Sequence, residues 1–498
     1  MDVGFRETSM DCLQEQAAEI ICQEETAELI VPDSSADVQS VVCSSAVGCI
    51  RDVTQTDGSV SVSGSFQTTL LYVPEGEGIP CVLETWMPFS VKLTREEIAQ
   101  GGTAVAELRV RSVDARILNS RKVLVRVSYA VRILSYGRSS WKLCTAEETE
   151  HVQLLHTEVS GLFPVASAEK SLTRSETVML QQAGTEVRRI VRAVPEVRET
   201  ECRLADGQAV WKGSMQLHLV YLTETGALGV FDTEMPISQL LDAGDAPEDS
   251  TLRAVPILSE FRMEQEDGGS FSVTFGIRIQ IIAWKKLTCT VITDGYGIGA
   301  PLQPQYTPYR FTELLDTPSA SRMVEGALHG SVRKVIDCGA LVDFPVCRRG
   351  RDEMTVSTGV TMNVLYYAED GSLGGEAVHG EGKMTFALNS GALCLADAVQ
   401  EGNCYASVSG TERTVACGVL LSGRCLSERT VQGMTKAELG DPIAGDSDRP
   451  SLIVRRAREE ETLWQIAKEA GTPVQSVRDA NGLTGEVQEG MLLLIPTR

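Results

Sequence analysis

Several signatures of catalysis and metal binding are missing from this sequence of 498 residues. It has no Gly-x-x-x-x-Gly-Lys-Ser/Thr loop, and its glycine-rich stretch at 295–299 lacks the Gly-x-Gly-x-x-Gly spacing, so no nucleotide site is predicted. The five histidines form neither His-x-x-x-His nor His-Glu-x-x-His, and the fourteen cysteines never form Cys-x-x-Cys. Spacing alone does not test for a serine or cysteine nucleophile with remote partners. We therefore expect no catalytic residue, metal ligand or cofactor, and a protein that is not an enzyme.

Long apolar runs and a positive charge balance are also missing. No run approaches the roughly 20 apolar residues that a membrane-spanning helix requires. The first eight residues lack a basic start and an apolar core, so no signal peptide is predicted and we expect a cytosolic chain. The formal charge of −23 disfavours nucleic acid and anionic membranes as partners. The acidic residues are dispersed, as on a solvated surface, and the alternative is a surface that meets a basic partner.

An internal repeat organises the first 440 residues. Strand-like segments recur with a tyrosine near their end, at Tyr72, Tyr221 and Tyr367, which are 149 and 146 residues apart. Each tyrosine has a glycine eight positions before it, and an acidic, glycine-containing turn and a methionine-led apolar run after it (Gly64, Gly213 and Gly359; Met87, Met235 and Met384). A period of this length indicates duplicated domains, in which we expect the three tyrosines to be equivalent and buried.

Alternating apolar and polar residues dominate the repeats, most clearly at 122–133 and 271–281. This period of two predicts antiparallel sheets with one solvated face. The predicted fold class is mainly β, with three repeated antiparallel β-rich domains of sandwich type followed by a small α+β module. The predicted domains are an N-terminal arm at 1–24, repeats at 25–150, 155–300 and 310–436, a linker at 437–450 and the module at 451–498. Within the repeats, the clearest predicted helix begins at a capping box with Thr94 as the cap.

The C-terminal module has the order strand, helix, helix, strand. The apolar runs at 452–454 and 491–495 have strand length and are predicted to pair antiparallel, with both helices on one face. Gly471 is predicted to end the first helix and Thr472 to cap the second, which Asn481-Gly482 ends. The first helix has an apolar stripe at i, i+3, i+4 and i+7, formed by Leu463, Ile466, Ala467 and Ala470.

This order, with the residues at 462–467, 481–483 and 490–496, resembles the LysM domain, which binds N-acetylglucosamine-containing glycans in a shallow groove between two loops. The chain has Glu460-Glu461 where the family usually has Gly-Asp, which restricts the backbone and adds charge to the groove. A competing interpretation places Leu463 and Leu483 in the core. Trp464 is expected beside the buried stripe, either at an interface or packed on a linker or strand. The groove or partner-binding residues that the resemblance implies are Glu461, Thr462, Leu463, Trp464, Asn481, Gly482 and Leu483.

The repeats resemble a domain of unknown function from endospore-forming bacteria, through the tyrosine-containing strand, Val31-Pro32-Asp33, Asp37-Val38 and residues 117–122. Tandem copies ahead of one LysM domain are similar to the SipL family of spore-morphogenesis proteins. That resemblance implies a coat-assembly factor in the mother-cell cytoplasm, recruited to the forespore surface by the SpoIVA ATPase, with a LysM domain that binds protein. The alternative is a peptidoglycan-binding anchor of the cell wall or cortex. A wall hydrolase is the third reading, although neither an export signal nor a catalytic motif was found.

Overall fold

The computed structural model describes residues 4–76, 79–180, 187–244, 246–266, 270–388, 391–409, 412–441 and 450–497. Within these ranges the chain forms antiparallel sheets and two short helices, and the helices belong to the C-terminal module. The predicted fold class is thereby confirmed. Residues 77–78 of the first predicted turn and 442–449 of the predicted linker lie outside the described residues. In the part of the chain that is described, no helix is long and apolar enough to cross a membrane.

The first unit consists of six antiparallel strands in two sheets, ordered β1-β6-β5 and β2-β3-β4. The strands are β1 (Arg6–Ile30), β2 (Val38–Thr56), β3 (Ser59–Pro74), β4 (Cys81–Thr94), β5 (Thr103–Asn119) and β6 (Lys122–Thr145). Residues 6–24, expected to form an arm, are instead part of β1. The reason is that β6 pairs with β1 along its whole length, from Lys122 opposite Ile30 to Thr145 opposite Arg6.

The second unit repeats this topology, with sheets ordered β7-β12-β11 and β8-β9-β10. Its strands are β7 (Val152–Met179), β8 (Val187–Ala205), β9 (Gln208–Thr223), β10 (Leu228–Asp242), β11 (Thr251–Gln265) and β12 (Ser270–Gly297). The two sheets enclose an apolar core that contains Trp211, Phe261 and Phe275. A closed core between two sheets is the arrangement of a β-sandwich.

The third unit has the same order of strands with two interruptions. Its strands are β13 (Leu302–Asp316), β14 (Ser319–Ala327), β15 (Val332–Val342), β16 (Val346–Arg349), β17 (Glu353–Ala368), β18 (Leu373–Ala387), β19 (Leu393–Ser409) and β20 (Glu412–Leu439). Both β13 and β14 pair with β20, and both β15 and β16 pair with β17. Pro318 and Pro345 lie at the two interruptions, where the missing N–H of proline breaks a ladder. The domain boundaries stay a prediction.

The repeat is offset by one residue from its predicted position in the third unit. The strands β3, β9 and β17 each have 16 residues. Tyr72 and Tyr221 are the fourteenth residues of their strands, and the fourteenth residue of β17 is Tyr366. Tyr366 is buried like the other two, whereas Tyr367 faces the other side because successive side chains alternate. The predicted equivalence of Tyr367 is therefore wrong by one residue.

Two further sequence landmarks differ in the structure. Met87 and Met235 pair with equivalent positions of β3 and β9, but Met384 pairs with Val356, further from the buried tyrosine, so it is not their counterpart. The helix predicted after Thr94 is wrong: Thr94 ends β4 and residues 96–97 form a turn. The Ile98 N–H donates to the Arg95 carbonyl across this turn, and the Arg95 N–H donates to the Gly58 carbonyl.

The three units meet at a shared apolar cluster. It contains Val42 and Leu71 from the first unit, Val191 and Val220 from the second, and Leu365 from the third. Leu71, Val220 and Leu365 are all thirteenth residues of their central strands. Equivalent positions of the three central strands therefore meet in one cluster.

A buried charge network joins the second and third units beside this cluster. The Arg192 guanidinium donates to the Asp337 carboxylate, and both side chains are buried. His218 Nε2 lies 2.9 Å from Asp337 Oδ1, and its Nδ1 lies 2.6 Å from Asp232 Oδ1. The hydrogen bond with Asp337 raises the pKa of His218, burial opposes the shift, and Asp232 adds to it. The joint therefore favours the protonated imidazolium form of His218.

A second polar joint links the first and third units. The guanidinium groups of Arg109 and Arg132 lie 4.3 and 4.7 Å from the centre of the Phe344 ring. They also donate to Asp397, at 2.7 and 3.2 Å. Hydrogen-bonded, mostly buried pairs of this kind penalise separation of the units, because each charge would lose its partner.

Candidate functional site: the C-terminal module

The module at the end of the chain is a two-stranded antiparallel sheet with two helices. Its elements are β21 (Leu452–Arg456), α1 (Leu463–Ala470), α2 (Val474–Asn481) and β22 (Leu492–Pro496), and β21 pairs with β22. The predicted apolar stripe of α1 is confirmed, since Leu463, Ile466, Ala467 and Ala470 are buried. They pack with Val477, Leu493 and Ile495 in one core.

The first helix is capped at both ends by its own sequence. Thr462 accepts a hydrogen bond from the Gln465 backbone N–H, and the Gln465 side chain accepts one from the Thr462 N–H, which forms a capping box. Gly471 has φ 60°, the left-handed conformation predicted for it. This capping box was not predicted, although the Thr-x-x-Gln pattern at 462–465 indicates it.

The second helix does not begin as expected. Its N-cap is Pro473 rather than Thr472, so the predicted cap is wrong. Thr472 is buried, and its carbonyl accepts a hydrogen bond from the Tyr296 hydroxyl at 2.7 Å. This residue is used to attach the module to the second unit instead of to cap its helix.

The contacts of one glutamate and the left-handed backbone of its neighbour define the conformation of the first predicted groove loop. Glu460 has φ 59°, in the left-handed region that favours glycine, which is the residue that the LysM pattern has at this position. Glu461 accepts the Arg458 N–H at 3.0 Å and pairs with Arg455. The hydrogen bond from the Arg458 N–H lowers the pKa of Glu461, and burial opposes this shift with a smaller effect. Glu461 therefore fixes the loop that leads into α1.

The second predicted loop is held by an asparagine. The Asn481 side chain accepts the Leu494 N–H at 2.7 Å and donates to the Leu494 carbonyl at 2.6 Å. It also donates to the Val477 carbonyl at 2.7 Å. Gly482 follows at φ 59° and ends α2, and Leu483 is partly buried against the core. Asn481 thereby ties α2 to β22.

Trp464 lies against the end of β12 in the second unit. Its ring centroid is 5.0 Å from that of Tyr296, with an edge-on angle of 66°. Its Nε1 donates to Asp294 Oδ2 at 2.8 Å, and Lys468 Nζ is 2.7 Å from both oxygens of Asp294. Tyr296 itself is buried within the core of the module. We call this set of contacts, with the Tyr296–Thr472 hydrogen bond, the β12 clasp.

The electrostatics of the β12 clasp favour a charged carboxylate. Burial alone would raise the pKa of Asp294, but hydrogen bonds from Lys468 and Trp464 outweigh it and lower this pKa. A lowered carboxyl pKa means that Asp294 keeps its charge throughout the neutral range. The clasp is therefore complete at physiological pH.

The seven predicted site residues thus have contacts within the chain. Thr462, Asn481 and Gly482 shape the ends of the helices, and Leu463 lies in the core, as the competing interpretation proposed. Glu461 pairs with Arg455, Leu483 is partly buried, and Trp464 contacts the second unit. Their role in ligand binding stays a prediction.

The outer face of the module's sheet was missed by sequence reasoning. Leu452, Val454, Leu492 and Leu494 are 47%, 54%, 61% and 39% exposed. Val454 is opposite Leu494, and alternation places all four on the side away from the buried Leu493 and Ile495. The signal was present, because a strand with one buried face needs apolar residues only at alternate positions, whereas 452–454 and 491–495 are continuous.

Comparison with known families agrees with this geometry. Residues 456–496 match the LysM domain. No curated protein and no solved structure matches the chain. The molecule is thus a β-rich protein that carries a C-terminal LysM domain, a domain class that suggests peptidoglycan or glycan binding.

Proposed function

We propose that this chain is a non-enzymatic assembly factor of the spore envelope, of the SipL type. Its LysM domain would bind a scaffold protein of the forespore surface, for which a SpoIVA-like ATPase is the candidate. The protein would act in the mother-cell cytoplasm and on the spore coat. The order of the sequence supports this proposal, with three related β-rich units followed by one LysM domain.

The observation that carries the proposal is the exposed apolar face of the LysM sheet. Leu452, Val454, Leu492 and Leu494 form a contiguous apolar surface, and Arg456 lies on the same side, opposite Leu492. Contiguous apolar surface with a polar rim is typical of protein–protein interfaces. The chemistry fits a partner with apolar side chains and a carboxylate placed to meet Arg456.

The internal contacts of the predicted groove also favour a protein partner. Glycan recognition in a shallow groove would require polar groups and an aromatic or apolar surface that are free to meet the sugar. Here Trp464 is engaged by Asp294 and Tyr296, and Asn481 by the Leu494 backbone. A sugar that needed these groups would first have to displace their present partners.

Glycan binding is the second candidate function, and the match of residues 456–496 to the LysM domain favours it. In this reading the chain anchors to peptidoglycan or another N-acetylglucosamine polymer. A titration of the whole chain with chitin oligomers separates the two candidates. We expect a Kd weaker than about 1 mM, or about 4 kcal/mol of binding free energy. Micromolar affinity would favour the glycan anchor.

The protein-binding proposal is tested by changing the exposed face. The double variant Val454→Lys with Leu494→Lys places two charges on it without entering the core. A matched control is Leu240→Lys on β10, whose side chain is 53% exposed outside the module. We expect the double variant to lose at least about tenfold in affinity for a SpoIVA-like scaffold, equal to about 1.4 kcal/mol. Unchanged binding by a folded double variant, or an equal loss in the control, would overturn the proposal.

A further inference from the structure

The cysteines of this chain are concentrated between the two sheets of the third unit. That unit contains six of the fourteen, and all six belong to or pack against its apolar core. They are free thiols at Cys338, Cys347, Cys394, Cys404, Cys417 and Cys425. In a reduced protein such residues are small apolar side chains, so their packing alone does not require that sulfur atoms meet.

Several of these thiols contact one another, Cys347 with Cys394 among them, and one pair meets directly across the two sheets. The Sγ atoms of Cys338 and Cys404 are 2.7 Å apart. Cys338 is on β15 and Cys404 on β19, which belong to opposite sheets. A disulfide has an S–S distance of about 2.05 Å, so the sulfur atoms are about 0.7 Å from bonding distance. Bond formation therefore requires only a small side-chain movement.

Exposure and neighbours give the two thiols different roles. Cys338 is half-buried, whereas Cys404 is buried and Cys417 on β20 is fully buried. The Cys417 thiol also contacts Cys404 by a hydrogen bond. An oxidant from solution thus meets Cys338 first, and Cys404 is placed to react with the product.

Metal binding does not explain the arrangement. Among the residues that the structure describes, no group of three or more His, Cys, Asp and Glu side chains has a geometry that could hold a metal ion. Structural zinc sites need four ligands in tetrahedral arrangement, and the thiols of Cys338, Cys404 and Cys417 do not form such a group. A pair of thiols in contact is instead the arrangement from which a disulfide forms.

We propose that Cys338 and Cys404 are an oxidisable pair that forms a reversible disulfide between the two sheets of the third unit. The oxidant is a low-molecular-weight disulfide such as oxidised glutathione. The Cys338 thiolate attacks it, forming a mixed disulfide and releasing one glutathione thiolate. The Cys404 thiol, whose pKa is raised to about 12, then attacks the Cys338 sulfur as it passes its proton to the departing second glutathione thiolate. The protein loses two electrons and two protons, and the oxidant becomes two glutathione thiols.

The test uses the full chain, purified under reducing conditions and then exposed to oxidised glutathione. Remaining thiols are alkylated in denaturant, and the protein is digested with trypsin and an Asp-specific protease. Cleavage before Asp343 and Asp397 separates Cys338 from Cys347 and Cys394 from Cys404. We expect one linked peptide pair that joins Cys338 to Cys404, lost again after dithiothreitol.

Two variants serve as controls. Cys338→Ser should abolish the linked pair and leave Cys404 alkylated, whereas Cys347→Ser, a neighbour in the same core, should retain it. We also expect oxidation to raise the melting temperature of the wild type and of Cys347→Ser but not of Cys338→Ser, because a cross-link restrains the unfolded chain. If Cys338→Ser does not fold, the linked peptides found in the oxidised wild type test the proposal on their own. Alkylation of both cysteines, glutathione on each, or a Cys404–Cys417 link would overturn the proposal.

Discussion

The β12 clasp predicts that a residue far from the LysM domain in sequence controls the stability of that domain. Tyr296 is 6% exposed, shares the module's core, and donates a hydrogen bond of 2.7 Å to the Thr472 carbonyl. Truncation of a buried aromatic side chain costs about 3–5 kcal/mol. The bonds from Trp464 and Lys468 to Asp294 would remain. We therefore expect Tyr296→Ala to lower the free energy of local opening of α1 by about 3–5 kcal/mol.

Hydrogen exchange measured by mass spectrometry tests this prediction. A loss of 3 kcal/mol corresponds to a roughly hundredfold faster exchange of the amides in α1. Tyr296→Phe removes only the hydroxyl and should cost about 1 kcal/mol. Tyr405→Ala is the control, because that side chain is 52% exposed and lies on β19 of the third unit, and it should leave α1 unchanged. If Tyr296→Ala exchanged like the wild type in α1, the clasp would not stabilise the module.

Three further predictions concern single residues. Glu460→Gly should stabilise the LysM domain by about 1 kcal/mol in guanidinium unfolding, because glycine adopts φ 59° without strain, and a destabilised variant would contradict this. Asn481→Ala should destabilise it by about 1–3 kcal/mol, because the Leu494 N–H loses its acceptor, and an unchanged unfolding midpoint would contradict this. The pKa of His218 is raised in the folded state, so its stabilising effect is complete below about pH 6.5 and disappears as the pH rises through the folded pKa. In the wild type the unfolding midpoint should fall as the pH rises above 6.5, and in His218→Gln this fall should be smaller. An equal pH dependence of the midpoint in both proteins would refute the stabilising role of His218.

Local patterns were sufficient to predict much of this protein. The fold class follows from the alternation in long strands, and the α1 stripe follows from i, i+3, i+4, i+7 spacing. Gly471 and Gly482 were predicted to end the two helices, and both do so in the left-handed conformation that had been expected of Gly471. These features depend on neighbours within a few residues, so one sequence contains the information.

Features set by distant partners were not predicted. The first part of β1 is a strand because Arg6 to Ile30 pairs with β6, which lies about a hundred residues further along the chain. Tyr367 fits the glycine spacing of the repeat, and only the strand register shows that its neighbour Tyr366 is the buried equivalent. Trp464 was expected beside the buried stripe, but its partner Asp294 is 170 residues away in sequence. No local pattern connects such positions.

The clasp and the apolar face have different consequences for ligand binding. A ligand that needs Trp464 free competes with Asp294 and Tyr296, so its measured affinity is reduced by the free energy of opening the clasp. A partner on the face of Val454 and Leu494 meets residues on the other side of the sheet and leaves the clasp closed. Because the clasp also fixes the module against β12, that partner binds a surface held in one orientation relative to the second unit. Rigid attachment lowers the entropic cost of association for a partner on this face, so we expect the proposed protein partner to bind without first opening the clasp.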